Sequence, residues 1–285
     1  MCRVLQIAPS TYYAHAAVKA NPALASDRRK RDIALCSEIK RVHAENFSVY
    51  GARKIWHQLK REGIETARCT VERLMHFLAI EGVRRGRSVR TTIRDAAQAC
   101  PKDKVNRRFK AANPNALWVA DFTYVQTWQG FIYVAFIIDV FARYIVGWKV
   151  SATANAAFVL DALEQAIHAR RPTEEDGLVH HSDHGSQYLA FRYTERLEDA
   201  YIIPSVGSVG DSYDNALAET INGLYKAEVI HRQTSWRTIQ KVELATLKWV
   251  DWFNNRRLLG PIGNITLKEA EERYYDGQNA LPLAA

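Results

Sequence analysis

Three consecutive runs of strand-forming residues constrain the fold of this chain more than any other feature of its sequence. Leu117–Val125, Phe131–Ile138 and Arg143–Val150 are rich in Val, Ile, Tyr, Phe and Trp, and only short turns separate them. Short β-branched and aromatic runs joined by tight turns favour strands that pair with their neighbours along the chain. We therefore predict a three-stranded antiparallel meander in the second half of the protein.

Helices and strands alternate after this meander. The predicted elements are a helix at Ala154–Arg170, a strand at Leu178–His181, a helix at Gln187–Leu197, a strand at Tyr201–Pro204, and helices at Tyr213–Glu228 and Thr238–Asn254. A meander followed by alternating helices and strands is the order of a ribonuclease H-like fold, in which helices flank both faces of a mixed sheet. The predicted fold class of this part is therefore α/β.

Three short amphipathic helices precede the strands. Apolar residues recur at helical spacing over Arg31–Val42, Ala52–Arg61 and Val71–Leu78. Short helices with tight turns, the last of them carrying Arg68 and Arg73, are typical of an all-α helix-turn-helix domain that lays one helix in the major groove of DNA. A simple three-helix bundle has the same periodicity and remains the alternative.

Charge is distributed unevenly along the chain. Residues 1–115 carry 24 Lys and Arg against 10 Asp and Glu, a net charge of +14, whereas the remaining residues carry 15 against 21, a net charge of −6. The densest basic stretch follows the third helix and contains Arg84, Arg85, Arg87, Arg90, Arg94, Lys102, Lys104, Arg107, Arg108 and Lys110. Cations at this density are suited to the phosphates of nucleic acid, although a merely solvated surface has the same composition.

These patterns predict five segments. They are a short helical segment at 1–25, a helix-turn-helix domain at 26–83, a basic linker at 84–112, an α/β domain at 113–275 and a tail at 276–285. The apolar runs are too short to span a membrane, and the first residues lack the apolar core of a signal peptide, so we expect a cytoplasmic protein with no membrane partner. The four cysteines are 31 to 34 residues apart and form no Cys-x-x-Cys pair, which argues against a zinc site.

Three acidic residues fall where a fold of this order brings side chains together. Asp121 lies among apolar residues of the first strand, Asp183 follows a short strand, and Glu219 lies on a late helix. A buried carboxylate is costly unless it is paired, protonated or bound to a metal. Taken singly, each acid has an ordinary alternative role. Asp121 could point to the solvated face of a strand, Asp183 could cap the next helix, and Glu219 could lie on an exposed helix face. Together they predict a site for two Mg²⁺ or Mn²⁺ ions, which prefer oxygen ligands.

The spacing between the last two acids carries a resemblance. With 35 residues between them, the three acids resemble the Asp-Asp-35-Glu signature of transposases and retroviral-type integrases. The surrounding sequence is similar to bacterial insertion-sequence transposases encoded in two overlapping reading frames, and specifically to the second-frame product. The matching segments are Trp118–Tyr124, Ser182–Tyr188, Asp214–Ala216 leading to Glu219 and Lys226, Tyr50–Ile55 and Trp252–Arg257.

The resemblance implies a DDE-type polynucleotidyl transferase that cleaves and joins double-stranded DNA at element ends and target. Asp121, Asp183 and Glu219 would be both its metal ligands and its catalytic residues. The residues expected to contact DNA are Asn222, Lys226, Arg68, Arg73, Arg84, Arg85 and Arg87. A homo-oligomer on DNA and fusion to the upstream-frame product are further expectations.

One departure from the family and two alternatives accompany this prediction. Many relatives have a basic residue in the loop where this chain has Gly207–Gly210, so a phosphate contact is not expected there. A catalytically silent DNA-binding regulator, or a relic that occupies element ends, would need only the basic half of the chain. A nuclease of the same fold would share the three acids.

Overall fold

The structure is a computed structural model that describes residues 7–84, 111–183, 185, 187–188, 190–206 and 215–279. The chain forms two compact units, Met1–Gly82 and Val83–Ala285. Arg85, Arg87, His184 and the loop Gly207–Gly210 lie outside the described residues, as does most of the predicted basic linker.

The first unit is helical, as predicted. Its helices are α1 (Pro9–Ala20), α2 (Asp27–Glu45), α3 (Ala52–Arg61) and α4 (Arg68–Phe77). Ser26 caps α2 by accepting a hydrogen bond from the backbone of Arg29, and α2, α3 and α4 pack against one another. Their fully buried residues are Ile39, Val42, Ile55, Leu59 and Val71.

Close backbone packing completes this unit. A Cβ on Gly82 would lie 2.5 Å from the backbone of Gly51, which no side chain can accommodate without movement. Gly82 therefore allows the chain beyond α4 to pass directly against the start of α3.

The second unit contains the predicted sheet. Its strands are β1 (Leu117–Thr127), β2 (Gly130–Asp139), β3 (Tyr144–Ser151), β4 (Val179–Ser182) and β5 (Ile203–Val206), in the order β3-β2-β1-β4-β5. The first three are antiparallel, β4 runs parallel to β1, and β5 runs parallel to β4. The meander and the mixed ribonuclease H-like sheet are therefore confirmed.

Helices cover both faces of this sheet. They are α5 (Ala156–Arg170), α6 (Phe191–Asp199), α7 (Ala216–Glu228), α8 (Ile239–Asn255) and α9 (Leu267–Asn279). On one face, Ala120 and Ile137 pack with Phe158 of α5 and Leu197 of α6. On the other, Phe136 lies 5.2 Å from Tyr225 of α7 and 5.8 Å from Trp249 of α8 between ring centroids. Side chains alternate across the sheet, so one strand supplies both cores.

Several element boundaries differ from the prediction; α6, for example, begins at Phe191 and not at Gln187. The strand predicted at Tyr201–Pro204 begins at Ile203, because Tyr201 has φ +58° and its backbone N–H bonds to Glu198, which ends α6 rather than starting a strand. Helix α9 was not predicted, and it runs through the predicted domain end at residue 275.

An ion pair attaches α9 to the end of α5. The guanidinium of Arg170, at the end of α5, donates to both carboxylate oxygens of Glu271 at 2.9 and 2.7 Å. None of the helices in the described ranges is long and apolar enough to cross a bilayer.

Candidate active site

Asp121 lies on β1 and its carboxylate is held from two sides. One oxygen accepts the backbone N–H of Phe122 at 2.8 Å, and the other accepts the side-chain amide of Asn222, on α7, at 2.9 Å. Burial, the charge of Asp183 and, to a smaller extent, the charge of Glu219 together raise the pKa of Asp121 to about 7, against the lowering effect of these two hydrogen bonds. The carboxylate is therefore held in one orientation and is affected by the charges of two other acids.

The strand register explains how Asp183 comes near Asp121. Because β4 runs parallel to β1 with Ser182 opposite Ala120, the residues that follow these two positions lie on adjacent strands. Asp183 is exposed just beyond the end of β4, and its Oδ1 accepts the backbone N–H of Gly185 at 3.2 Å. This is the crevice at the carboxyl ends of strands where ligands bind in open sheets.

Glu219 reaches the same region from the first turn of α7, and it is exposed. The helix is fixed to β1 by the side-chain amide of Asn215, which donates to the carbonyl of Ala120 at 2.8 Å. Asn222 makes the second connection, through Asp121. Two amides on the stripe that carries Glu219 therefore fix α7 beside the strand of Asp121.

The structure gives Asn222 a role that the sequence did not suggest. Its side chain is buried, and its nitrogen is engaged by Asp121. This geometry makes Asn222 a positioning residue, and its contact with DNA stays a prediction. The sequence places Asn215, Glu219 and Asn222 at helical spacing on one face of α7, but spacing alone cannot show which backbone carbonyl the amide of Asn215 meets.

A buried ion pair anchors the far end of α7. Glu228 bonds to the guanidinium of Arg257 at 2.5 Å, and both side chains are almost fully buried. The indole N–H of Trp249, on α8, donates to the same carboxylate at 3.0 Å. Nearby Asn254 bonds to both backbone groups of Ile145 in β3. The Trp252–Arg257 segment therefore serves to hold the helices and sheet around the site.

Lys226 lies one turn beyond Asn222 on α7. Its ammonium nitrogen is 4.8 Å from the centre of the Tyr124 ring. Burial lowers the pKa of Lys226, while the charge of Asp121 raises it. The lysine is thus close enough to feel the carboxylate and close to an exposed ring, a position compatible with the predicted phosphate contact.

Tyr188 belongs to the neighbourhood of the acids and was not singled out from the sequence. Its pKa is raised well above the usual value by burial, by Tyr193 and by the charges of Asp121 and Asp183. Its hydroxyl is buried and has no hydrogen-bond partner among the described residues. The signal available in the sequence was its place in the Ser182–Tyr188 segment.

The two histidines of β4 have structural partners. His180 Nε2 lies 3.0 Å from the hydroxyl of Tyr193, and His181 Nδ1 lies 3.0 Å from the hydroxyl of Ser205. Both rings are buried. These contacts account for the pair as part of the core.

The carboxylates supply hard oxygen donors, which fit Mg²⁺ or Mn²⁺ better than softer metals. Burial and the neighbouring acids disfavour the charged form of Asp121, as its raised pKa shows, and a divalent cation would offset both effects. Within the described ranges, no three His, Cys, Asp or Glu side chains stand close enough together to hold a metal ion as they are.

Comparison with known proteins extends over the whole chain. The family described as Integrase core domain matches residues 111–212 and 201–266, and the family described as HTH-like domain matches residues 29–88. The chain is 60% identical over 285 residues to the transposase for insertion sequence element IS629 of Shigella sonnei, covering 100% of this chain and 95% of that protein. The chain belongs to the insertion-sequence transposases.

Two more relatives agree with this assignment. A Mycobacterium tuberculosis protein named for insertion sequence element IS986/IS6110 is 56% identical over 98% of this chain and 100% of its own length. The transposase for insertion sequence element IS904 of Lactococcus lactis is 33% identical over 79% of this chain and 88% of its own. The predicted membership of this family is thus confirmed.

The transposase is also similar to solved retroviral integrases. One is the catalytic core domain of HTLV-2 integrase in complex with magnesium, with a TM-score of 0.46 and 16% identity over 56% of this chain and 99% of that one. Another is the catalytic core domain of BIV integrase, with a TM-score of 0.43 and 22% identity over 58% and 99%.

The arginines predicted to bind DNA in the first unit of the transposase are engaged in ion pairs. Arg68 lies 3.1 Å from Glu72 on its own helix, and Arg73 bonds to both oxygens of Asp32 on α2 at 2.9 Å. Arg84 is exposed at the edge of the described residues. A DNA contact by Arg68 or Arg73 would therefore compete with an acid already bound, and these contacts stay predictions.

Proposed function

We propose that this transposase cleaves and joins DNA strands at the ends of an insertion sequence, using Asp121, Asp183 and Glu219 as catalytic residues. The observation that carries the proposal is the geometry around Asp121: the register of β1 and β4 brings Asp183 beside it, and Asn222, on the helix that carries Glu219, donates to its carboxylate. Their order and spacing in the sequence, and the matching integrase core family, support the same assignment.

The three carboxylates would hold Mg²⁺ or Mn²⁺, as two ions. When bound, such ions activate an attacking oxygen and stabilise the leaving oxygen of a phosphodiester. Asn222 would keep the Asp121 carboxylate turned toward the site, and Asn215 would keep α7 at the correct distance from β1. Preorganised ligands of this kind avoid the free energy of reordering side chains at each turnover.

Binding of DNA would involve both units. Lys226 would neutralise a phosphate close to Asp121, and the HTH-like domain, with the basic stretch that follows it, would contact the duplex. We expect the transposase to act on DNA in the bacterial cytoplasm as a homo-oligomer that brings element ends and target together. Fusion to an upstream-frame product remains part of this expectation.

Strand transfer on labelled DNA that carries the element's own ends tests the proposal. The native protein should cleave and join strands with Mg²⁺ and do neither with EDTA. Glu219→Gln keeps the size of the side chain and removes its charge, so this variant should bind the same DNA with unchanged affinity and lose both steps.

The alternatives give different results in the same assay. A DNA-binding regulator or relic would bind without cutting, in the native form as in the variant. A nuclease of the same fold would cut without joining. Joining by Glu219→Gln at the native rate would reject the catalytic assignment.

A further inference from the structure

An open groove lies at the turn between β1 and β2, and Lys226, which lines it, is affected by the charge of Asp121. Its volume is about 570 Å³, and its lining residues come from the ends of β1 and β2 and from the segment that follows α7. We define it as the aromatic groove by six of these residues: Tyr124, Trp128, Phe131, Lys226, His231 and Trp236. A backbone hydrogen bond from Trp128 to Trp236 joins its two walls at 2.9 Å.

Three rings of the groove are unusually exposed for their size. Trp128 is 67% exposed, Tyr124 59% and Phe131 55%, and the rings of Tyr124 and Phe131 meet edge to face at 5.5 Å. Clustered apolar exposure of this kind marks binding surfaces more often than isolated apolar side chains do.

Two rings that line the groove each lie beside a cation: Lys226, itself a lining residue, and Arg237, which follows the lining residue Trp236 in the chain. Lys226 lies 4.8 Å from the centre of Tyr124, and Arg237 lies 4.9 Å from the centre of Trp128. The lining residues, all of them within the described ranges, include no Asp or Glu. The groove therefore offers flat apolar surfaces next to positive charge, which suits an anionic ligand that carries aromatic rings.

Unpaired nucleotides match this chemistry better than paired ones. A base can stack on a ring while its phosphate meets the adjacent cation, and such stacking tolerates any base because each has a π-face. A base inside a duplex exposes only its edge, so it cannot lie flat on Tyr124 or Trp128. Tyr124 and Asp121 lie on the same strand, with Tyr124 three residues further along the chain, so the groove begins on the strand that carries this acid.

We propose that the aromatic groove binds unpaired nucleotides of a DNA strand adjacent to the catalytic acids, by stacking bases on Tyr124 and Trp128. This inference rests on the proposed function in that it takes DNA as the ligand. It adds that the transposase prefers DNA with frayed or overhanging nucleotides over a fully paired end. Lys226 and Arg237 hold the phosphates of the unpaired strand.

The experiment compares two probes in EDTA, which stops any strand chemistry. One is a blunt duplex, and the other is the same duplex with a three-nucleotide overhang that contains 2-aminopurine. Affinity is measured by fluorescence anisotropy of an end label, and stacking by the loss of 2-aminopurine fluorescence. The native protein is expected to bind the overhang probe more tightly and to quench it.

Trp128→Ala and Tyr124→Ala are each expected to weaken binding of the overhang probe by about 5- to 50-fold, with little effect on the blunt probe. Trp128→Phe keeps a ring and is expected to retain most of the quenching. Phe191→Ala removes an exposed ring of α6 outside the groove and serves as the matched control. Thermal melting of each variant shows that the fold is retained.

Equal affinity of the native protein for the two probes, or native-like quenching by both alanine variants, would overturn the proposal. The outcome is separable from that of the proposed function because no step of the assay requires catalysis. A protein that prefers the overhang yet joins no strands with Mg²⁺ would retain the groove assignment and lose the proposed activity.

Discussion

Ion pairs of α2 in the first unit are partly exposed, whereas the ion pair at the far end of α7 is buried. On α2, Arg41 contacts Glu38 and Glu45 on its own helix and Glu62 beyond α3, and these side chains are 28% to 56% exposed. Under α7, Arg257 and Glu228 are 4% and 6% exposed. Exposed pairs gain little because water screens them, whereas a buried pair that loses one partner leaves an uncompensated charge. The buried pair is therefore needed to keep α7 packed in place, whereas the exposed pairs contribute little to the stability of the first unit.

Breaking the buried pair gives the largest expected effect. Arg257→Met leaves the carboxylate of Glu228 buried with only the indole of Trp249 as partner, so the free energy of unfolding should fall by about 3–5 kcal/mol. Chemical denaturation of the native and variant proteins measures it. Arg256→Met, whose pair with Asp251 is exposed, is the matched control and should change stability by less than about 1 kcal/mol.

The comparison would fail if the two methionine variants were equally stable. A further check is the double variant Glu228→Gln with Arg257→Met. Removing the buried negative charge together with its partner should recover part of the lost stability, while the indole of Trp249 keeps an acceptor.

The next effect concerns the amide that holds Asp121. Asn222→Ala removes the hydrogen bond to the carboxylate, and loss of such a supporting contact slows reactions at metal sites by about 10- to 100-fold. Strand joining should slow by that amount, with a higher Mg²⁺ concentration needed for half-maximal rate. Asn255→Ala, which removes an exposed amide of α8, should leave both quantities unchanged. A rate for Asn222→Ala within twofold of native would show that Asp121 is positioned by other contacts.

Burial of a histidine gives a pH-dependent effect of intermediate size. Burial, and secondarily the charge of His181, lowers the pKa of His180 from 6.5 to about 3. Below pH 6.5 this histidine becomes protonated in the unfolded chain but stays neutral in the folded protein. The free energy of unfolding therefore falls as the pH falls, by about 2 kcal/mol at pH 5. His180→Gln should lack this loss, and urea denaturation at pH 7 and pH 5 measures the difference.

His76→Gln, on the exposed face of α4, is the matched control for His180→Gln. The two variants should therefore differ in how their unfolding free energies change between the two pH values. Parallel changes in the two variants would contradict the role assigned to the burial of His180.

The smallest effect is expected at an exposed pair of the first unit. Arg73→Ala breaks the contact with Asp32, and because both side chains are partly exposed, the free energy of unfolding should change by less than about 1 kcal/mol. If Arg73 also contacts a phosphate, the same variant should lower DNA affinity and reduce the salt dependence of binding by about one unit of slope. A loss of stability well above this limit would show that Arg73 is needed for the fold.

Much of the second unit could be predicted because its signals are local. The three strand-forming runs specify the meander, since strands joined by short turns pair with their neighbours. The acids could be singled out because carboxylates in apolar surroundings are costly and their order matches a known spacing. Helix α9 was missed although its start carries a local signal: Thr266 accepts the backbone N–H of Glu269, in the Thr-x-x-Glu pattern of a helix N-terminus. Its long-range anchor, the pair of Glu271 with Arg170, could be seen only in the folded protein.

Patterns in the sequence were enough to predict the order of elements from the first helix to α8, the family, and the three acids to consider. Tertiary structure alone decided that Asn215 and Asn222 face β1, that Glu228 and Arg257 are buried together, and that Tyr124 and Trp128 form a groove. The reason is physical: periodicity depends on residues a few positions apart, whereas these contacts join side chains whose approach is set only when the sheet and its helices have packed.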